Sequence, residues 1–171
     1  EGDAECTAMA LTVLGAAVDL HVGGADLRFP HHAFETAAAE AATGVTPFAR
    51  AWMHVGVVSQ DGAKMAKSTG NLTFVADLVE EFGAAAVRLL LLDRAYDTGW
   101  EYRTDDLAAA AARVDSLHAA AARPGVREEA AGEAVTAALC AGLDVPTALA
   151  VAEEEGGAAA RTALTVLGLT G

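Results

Sequence analysis

Apolar and polar residues alternate with two different periods along the first hundred positions, and with a single period after them. Residues 7–14 read as a short helix ended by Gly15. Residues 16–21 read as a strand with Val18 and Leu20 on one face, broken by Gly23-Gly24, with Asp26 at the mouth of the break. Phe29-Pro30 then opens a helix over about 31–42, since a proline near a helix start gives up only an N–H that lacks a partner anyway. After a loop at 43–48 holding Gly44 and Pro47, the apolar, β-branched run 52–58 predicts a buried strand, followed by a turn at Gln60-Asp61-Gly62. Thr73 is placed to cap a helix whose stripe is Val75, Leu78, Val79 and Phe82, ended by Gly83. A second, strongly apolar helix is predicted over 84–96, and a connector with Trp100 and Tyr102 over 97–103.

From Thr104 the texture changes to alanine-rich helix. Over 105–123 the residues Leu107, Val114, Leu117 and Ala121 share one face; Pro124-Gly125 punctuates, and a further helix at 128–141 carries Cys140, read as a small core residue. A break at Asp144–Pro146 precedes two short helices at 147–155 and 158–167. Alanine-rich helices at this spacing predict a bundle. The chain is therefore expected to be α/β over 1–100 and helical over 101–171.

Composition narrows the function classes. At 171 residues the chain can bury a real core, although alanine inflates its apolar fraction of 53%. It has no membrane-length apolar run and no basic-then-apolar leader, and it starts at Glu1 without a methionine, so its beginning is expected to lie upstream or to have been processed. Two widely separated cysteines, Cys6 and Cys140, make no disulfide framework and suit a reducing cytoplasm. A net charge of −13 argues against a broad grip on nucleic-acid backbone while leaving room for a small positive site.

Such a site is visible at 64–68. Of the 11 basic residues nine are arginine, and the two lysines, Lys64 and Lys67, both lie in Lys-Met-Ala-Lys-Ser. Compact ammonium groups three residues apart, followed by Ser68 and Gly70, suit a mobile loop that closes on phosphates; directly after the 52–58 strand, it is expected at a core strand's carboxyl end. A second candidate is the set Cys6, His31 and Glu35. His31 and Glu35 lie four apart on the expected helix, and thiolate, imidazole and carboxylate are the ligands that Zn²⁺ accepts. The plainer reading is a surface His–Glu pair. His32 points to another face, as a second contact or none.

Four segments occurring in order, Glu5-Cys6-Thr7-Ala8-Met9, the stretch from Asp19 through His21, Gly23 and Gly24 to Asp26-Leu27, Phe29-Pro30-His31-His32, and Lys64-Met-Ala-Lys67-Ser68-Thr-Gly70-Asn71, together resemble the cysteinyl-tRNA synthetases of class I. They equally resemble the cysteine:glucosaminyl-inositol ligases of mycothiol synthesis, which share that fold. The resemblance covers nearly the whole chain. It implies the carboxyl-terminal half of a Rossmann-type class I catalytic domain over 1–100, followed by an α-helical bundle. It implies zinc ligands at Cys6, His31 and Glu35, with the metal gripping the substrate thiol. Asp26 would hold the amino group of L-cysteine; His21, Gly23 and Gly24 would line the ATP pocket; and Lys64, Lys67 and Ser68 would close on the triphosphate, with Mg²⁺. The implied reaction is cysteinyl-adenylate formation followed by transfer to tRNA. Alternative acceptors are the amine of glucosaminyl-inositol or, for a non-catalytic zinc- and nucleotide-binding relative, none.

Several features depart from the family pattern. No HIGH motif occurs in these residues, and the family's first zinc cysteine is expected before residue 1. Gly2 stands where the family has tryptophan, Ala66 stands for the serine of the lysine motif, and no anticodon-binding domain is expected after the helices. Glu35 favours the tRNA branch; the missing anticodon domain, the acidic surface and the run from Phe34 to Ala37 favour the sugar branch. Neither the residues nor the resemblance specifies an oligomeric state.

Overall fold

The computed structural model describes residues 2–124 and 128–170, so the punctuation expected at Gly125 lies outside the described residues. The chain divides into two compact units. One holds the residues up to Val57 together with Asp97–Trp100; the other holds Val58–Tyr96 and the residues from Glu101 onward.

The first unit contains α1 (Gly2–Leu14), β1 (Val18–Gly24), a π-type turn at Arg28–His32, α2 (Ala33–Thr43) and β2 (Ala49–Val55). β1 and β2 pair in parallel, with Val18 opposite Ala49, His21 opposite Trp52 and Gly23 opposite His54. Parallel neighbours need a crossover, and α2 supplies it. Gly44, in the left-handed conformation at φ 70°, ends α2. Val18, Ala39, Phe48 and Ala49 form the core, with Ala10, Leu11 and Trp52 packed against it.

Both strands sit further from their predicted positions than end-fraying explains. β1 runs on through the two glycines that were expected to break it. β2 begins at Ala49 and stops at Val55, before Gly56. A side chain at Gly56 would place its Cβ 2.1 Å from the Thr98 carbonyl oxygen, so this glycine marks a close passage of two backbones.

The second unit opens with β3 (Val58–Gln60) and β4 (Ala63–Lys64); with β5 (Trp100–Glu101), whose Glu101 belongs to this unit, they make a small sheet of order β4-β3-β5. Asp61 and Gly62, at φ 55° and 75°, close β3 and β4 into a tight hairpin of the kind that an Asp-Gly pair favours. Lys64 therefore lies on a hairpin arm rather than at the carboxyl end of a core strand. Six helices follow: α3 (Val75–Phe82), α4 (Ala84–Leu92), α5 (Thr104–Ala121), α6 (Glu128–Cys140), α7 (Val145–Glu155) and α8 (Gly157–Val166). Leu89, Leu107, Leu117, Val135, Leu149 and Leu169 are its fully buried large side chains. The alanines act as core here: Ala148, Ala152, Ala159, Ala160 and Ala163 are completely buried and let the last helices approach closely.

Three expectations about this unit change. Thr73 does not cap α3; Phe74 occupies that position, and the Thr73 hydroxyl donates to Gln60 Oε1 at 3.1 Å. α4 ends at Leu92, because Asp93 leaves helical geometry and receives Arg113. Arg113 also makes a two-pronged pair with Glu153 at 2.8 and 2.9 Å, tying α5 to α7. Cys140 is exposed at the end of α6, so it is no core residue. α3 and α4 associate with α5, which is why the compact units do not divide at residue 100.

Candidate active site

In the parallel-sheet unit the alternation of strand side chains puts residues 19, 21 and 23 of β1 and 50, 52 and 54 of β2 on one face. His21 stacks on Trp52, with ring centroids 4.6 Å apart and planes 22° apart. Trp52 in turn lies nearly parallel to His54, at 5.8 Å and 6°. Gly23 leaves a gap in this row, and His32 fills it. A Cβ at Gly23 would stand 2.5 Å from His32 Cε1 and 2.7 Å from Nε2. The glycine is thus required by the imidazole packed against it.

The approach to α2 decides which side chains enter the site. Arg28–His32 is a π-type turn in which Phe29 is extended, at φ −143° and ψ 135°, and α2 proper begins only at Ala33. His31 and Glu35 keep their helical spacing, with Phe29 the one non-helical residue of the turn, but His31 is only half-buried. His32 and Glu35, three apart, turn inward instead: His32 is buried and Glu35 is 3% exposed, whereas His31 is half-buried. Ligand atoms of His21, His32 and Glu35 lie within 4.8 Å of one another, and among the described residues this is the one such group of three. Cys6, half-buried on α1, and His31 do not belong to it.

The electrostatics of the group suit a cation. Glu35 Oε2 is buried without a hydrogen-bond partner and lies 3.5 Å from His21 Nε2. A buried carboxylate oxygen without a donor costs about 1–3 kcal/mol. His32 Nδ1 and His54 Nε2 are 2.9 Å apart, so one ring donates and the other accepts. Burial, and then His21, hold His32 below the usual imidazole range; burial and then Arg28 do the same for His54. Imidazoles beside a carboxylate are a donor set that Zn²⁺ accepts, so the residues present fit such an ion. A cavity of about 360 Å³ opens beside them, lined by Arg28, His32, Ala33, Thr36, Trp52 and His54.

The remaining expected site residues fall in two places. Gly24 and Asp26 form the exit from β1, where Asp26 sits in the middle of a short 3₁₀ turn, Ala25–Leu27; a Cβ on Gly24 would stand 2.4 Å from Asp26 Oδ1. In the other unit, Lys64 ends β4, and Lys67 and Ser68 form a 3₁₀ turn, all three exposed. Sequence reasoning passed over His54, half-buried in what read as an apolar strand, and gave His32 no firm role. The i, i+2 spacing of Trp52 and His54 was the available signal, since it puts both on one face of a strand.

Fold and site together place the chain in a class. The family model for the tRNA synthetases class I (C) catalytic domain matches residues 3–112, and the chain belongs to that family. It is 45% identical over 87% of its length to the L-cysteine:1D-myo-inositol 2-amino-2-deoxy-alpha-D-glucopyranoside ligase of Streptomyces griseus, and 46% identical over 86% to that of Thermobispora bispora. The chain spans 37% of the length of each of these two relatives. Among solved structures, the ternary complex of Agrobacterium radiobacter agnB2 LeuRS with tRNA and LeuAMS superposes with a TM-score of 0.60 at 19% identity, over 88% of this chain and 26% of that one. A putative arginyl tRNA synthetase from Campylobacter jejuni gives 0.56 at 15% identity, over 99% and 43%. Both bear out the expected class I fold. Among the described residues no helix is long and apolar enough to cross a membrane.

Proposed function

We propose that this chain is part of an ATP-dependent ligase that activates L-cysteine as its adenylate and passes it to the amine of an amino-sugar-substituted inositol. The identity of 45% over 87% of the chain to ligases bearing that name carries the reading. In the proposed reaction the cysteine carboxylate attacks the α-phosphorus of ATP and pyrophosphate leaves. Lys64 and Lys67 neutralise charge on the phosphates, with Mg²⁺ bound to the nucleotide; Ser68 and the glycines 23 and 24 line its site. Asp26 receives the substrate ammonium.

Glu35 is common to the metal set implied by the family resemblance and to the set that converges in space. We assign the ion to Glu35 with His21 and His32, and Cys6 and His31 are the competing ligands. Zinc there would offer the substrate thiolate a soft partner that a serine hydroxyl cannot match.

Cysteine-dependent ATP–pyrophosphate exchange by the full-length protein tests the activation step. Supplying glucosaminyl-inositol or tRNA as acceptor then separates the two branches, and cysteine transfer to tRNA alone would reverse the acceptor assignment. The tRNA reading stands second, supported by Glu35. A protein that binds nucleotide and metal without exchange would leave only the non-catalytic alternative.

A further inference from the structure

The lysine loop has a lock of its own. Met65 extends the hairpin by donating its N–H to Val58 O at 3.0 Å. Ala66 is extended, Lys67–Thr69 make one 3₁₀ turn, and Gly70, at φ 68°, reverses the chain with its N–H directed at Lys67 O. That reversal brings Asn71 back onto the hairpin. Its Oδ1 accepts the Ala66 N–H at 3.0 Å. Its Nδ2 faces the carbonyl oxygens of Lys64 at 3.3 Å and of Gln60 and Ala63 at 3.5 Å. One amide therefore holds both arms of the hairpin and the start of the 3₁₀ turn. The far side of the hairpin is fixed separately by Glu101, which accepts the Gly62 N–H at 3.0 Å.

We propose that Asn71 is the positioning residue of the lysine loop: its amide clasps the 66–71 turn onto the hairpin, so that Lys64 and Lys67 move as one unit. Two long side chains on a loose loop would each lose conformational freedom when they close on phosphates, whereas a clasped loop has lost part of it beforehand. An amide is required for this. A carboxylate at 71 keeps the acceptor for Ala66 but loses both donors and sets negative charge against three carbonyl oxygens.

The clasp is tested by proteolysis, because both lysines of these 171 residues lie in the clasped segment. A lysine-specific protease, with the cut sites identified by mass, reads opening of this loop without any assay of activity. Asn71→Ala is expected to speed cleavage after Lys64 and Lys67 by about tenfold or more while global melting is unchanged. Asn71→Asp, which keeps size and one bond but sets its charge against the three carbonyl oxygens, is expected to be cleaved about as fast as Asn71→Ala. Equal cleavage rates in all three proteins would overturn the clasp.

The role toward phosphates rests on the ligase reading and has its own arm. In cysteine-dependent exchange, Asn71→Ala is expected to lower kcat/KM for ATP by about 10- to 100-fold and to leave the KM for cysteine unchanged. Unchanged ATP kinetics beside faster cleavage would reduce the clasp to a stabilising contact. Absence of exchange in wild type would remove the ligase reading and leave the cleavage result standing.

Discussion

The two units satisfy their polar and apolar groups to different extents. In the helical unit, leucines and alanines close a core, and the ion pairs of Arg113 with Glu153 and Asp93 bind successive helices. Those carboxylates hold the guanidinium above its usual range. In the parallel-sheet unit, the face of β1 opposite His21 presents Leu20 and Val22 at 54% and 51% exposure. The other face buries Glu35 with an oxygen that has no partner. Parallel strands in most proteins are covered on both sides. The sheet unit is thus the less self-sufficient of the two, with one exposed face and one unpartnered buried oxygen.

The largest expected effect falls on the lysine hairpin. Lys67→Ala should lower cysteine-dependent pyrophosphate exchange by about 10²–10³-fold, the usual cost of removing one charge-stabilising group. Melting should be unaltered, since Lys67 is exposed. A loss of exchange accompanied by unfolding would break the division between bundle and hairpin.

Next come the proposed metal ligands. His32→Ala should weaken zinc binding, measured by chelator competition, by at least about 10- to 100-fold, the cost of losing even an outer-shell partner. Cys6→Ser should leave it nearly unchanged if the converging set holds the ion. The reverse order of effects would restore the Cys6–His31–Glu35 set.

Gly23→Ala drives a methyl into His32. It should cost about 1–3 kcal/mol in denaturant unfolding and abolish zinc binding together. Glu35→Leu should act in opposite directions on the two properties. The metal-free protein gains up to about 1–3 kcal/mol by losing a buried unpartnered oxygen, and zinc binding disappears. A destabilised Glu35→Leu protein would make Glu35 structural rather than a ligand.

The smallest effect belongs to the bundle. Asp144 caps α7 by accepting the Thr147 N–H at 3.2 Å, and bonding to Thr147 holds its carboxyl below the usual range. Folding therefore favours the ionised form. That contribution is complete above the carboxyl's unfolded pKa and fades as pH falls through the lower folded value. Melting of Asp144→Ala should accordingly approach that of wild type in acid, and a difference independent of pH would exclude the cap as its source.

Much of the architecture was readable before any coordinates. Helix periodicity placed α5, α7 and α8 within a few residues, because a stripe of Leu107, Val114 and Leu117 has no other way to bury itself. Asp61-Gly62 announced its hairpin turn. The lysine pair, and the resemblance built on it, reached the family to which the chain belongs. Thr73 misled because its hydroxyl found Gln60, thirteen residues away, instead of the nearby helix.

By itself the sequence determined the family and the main helices, and it marked Glu35 and the lysine pair, since local periodicity and residue type are carried by the chain directly. It could not determine which imidazole meets Glu35. That depended on where α2 lies beside β1, which puts His21 Nε2 3.5 Å from Glu35, and on a parallel register that sets the bare Cα of Gly23 opposite His54. Both are consequences of packing between segments distant along the chain, and the free energy of such contacts does not exist until the segments meet.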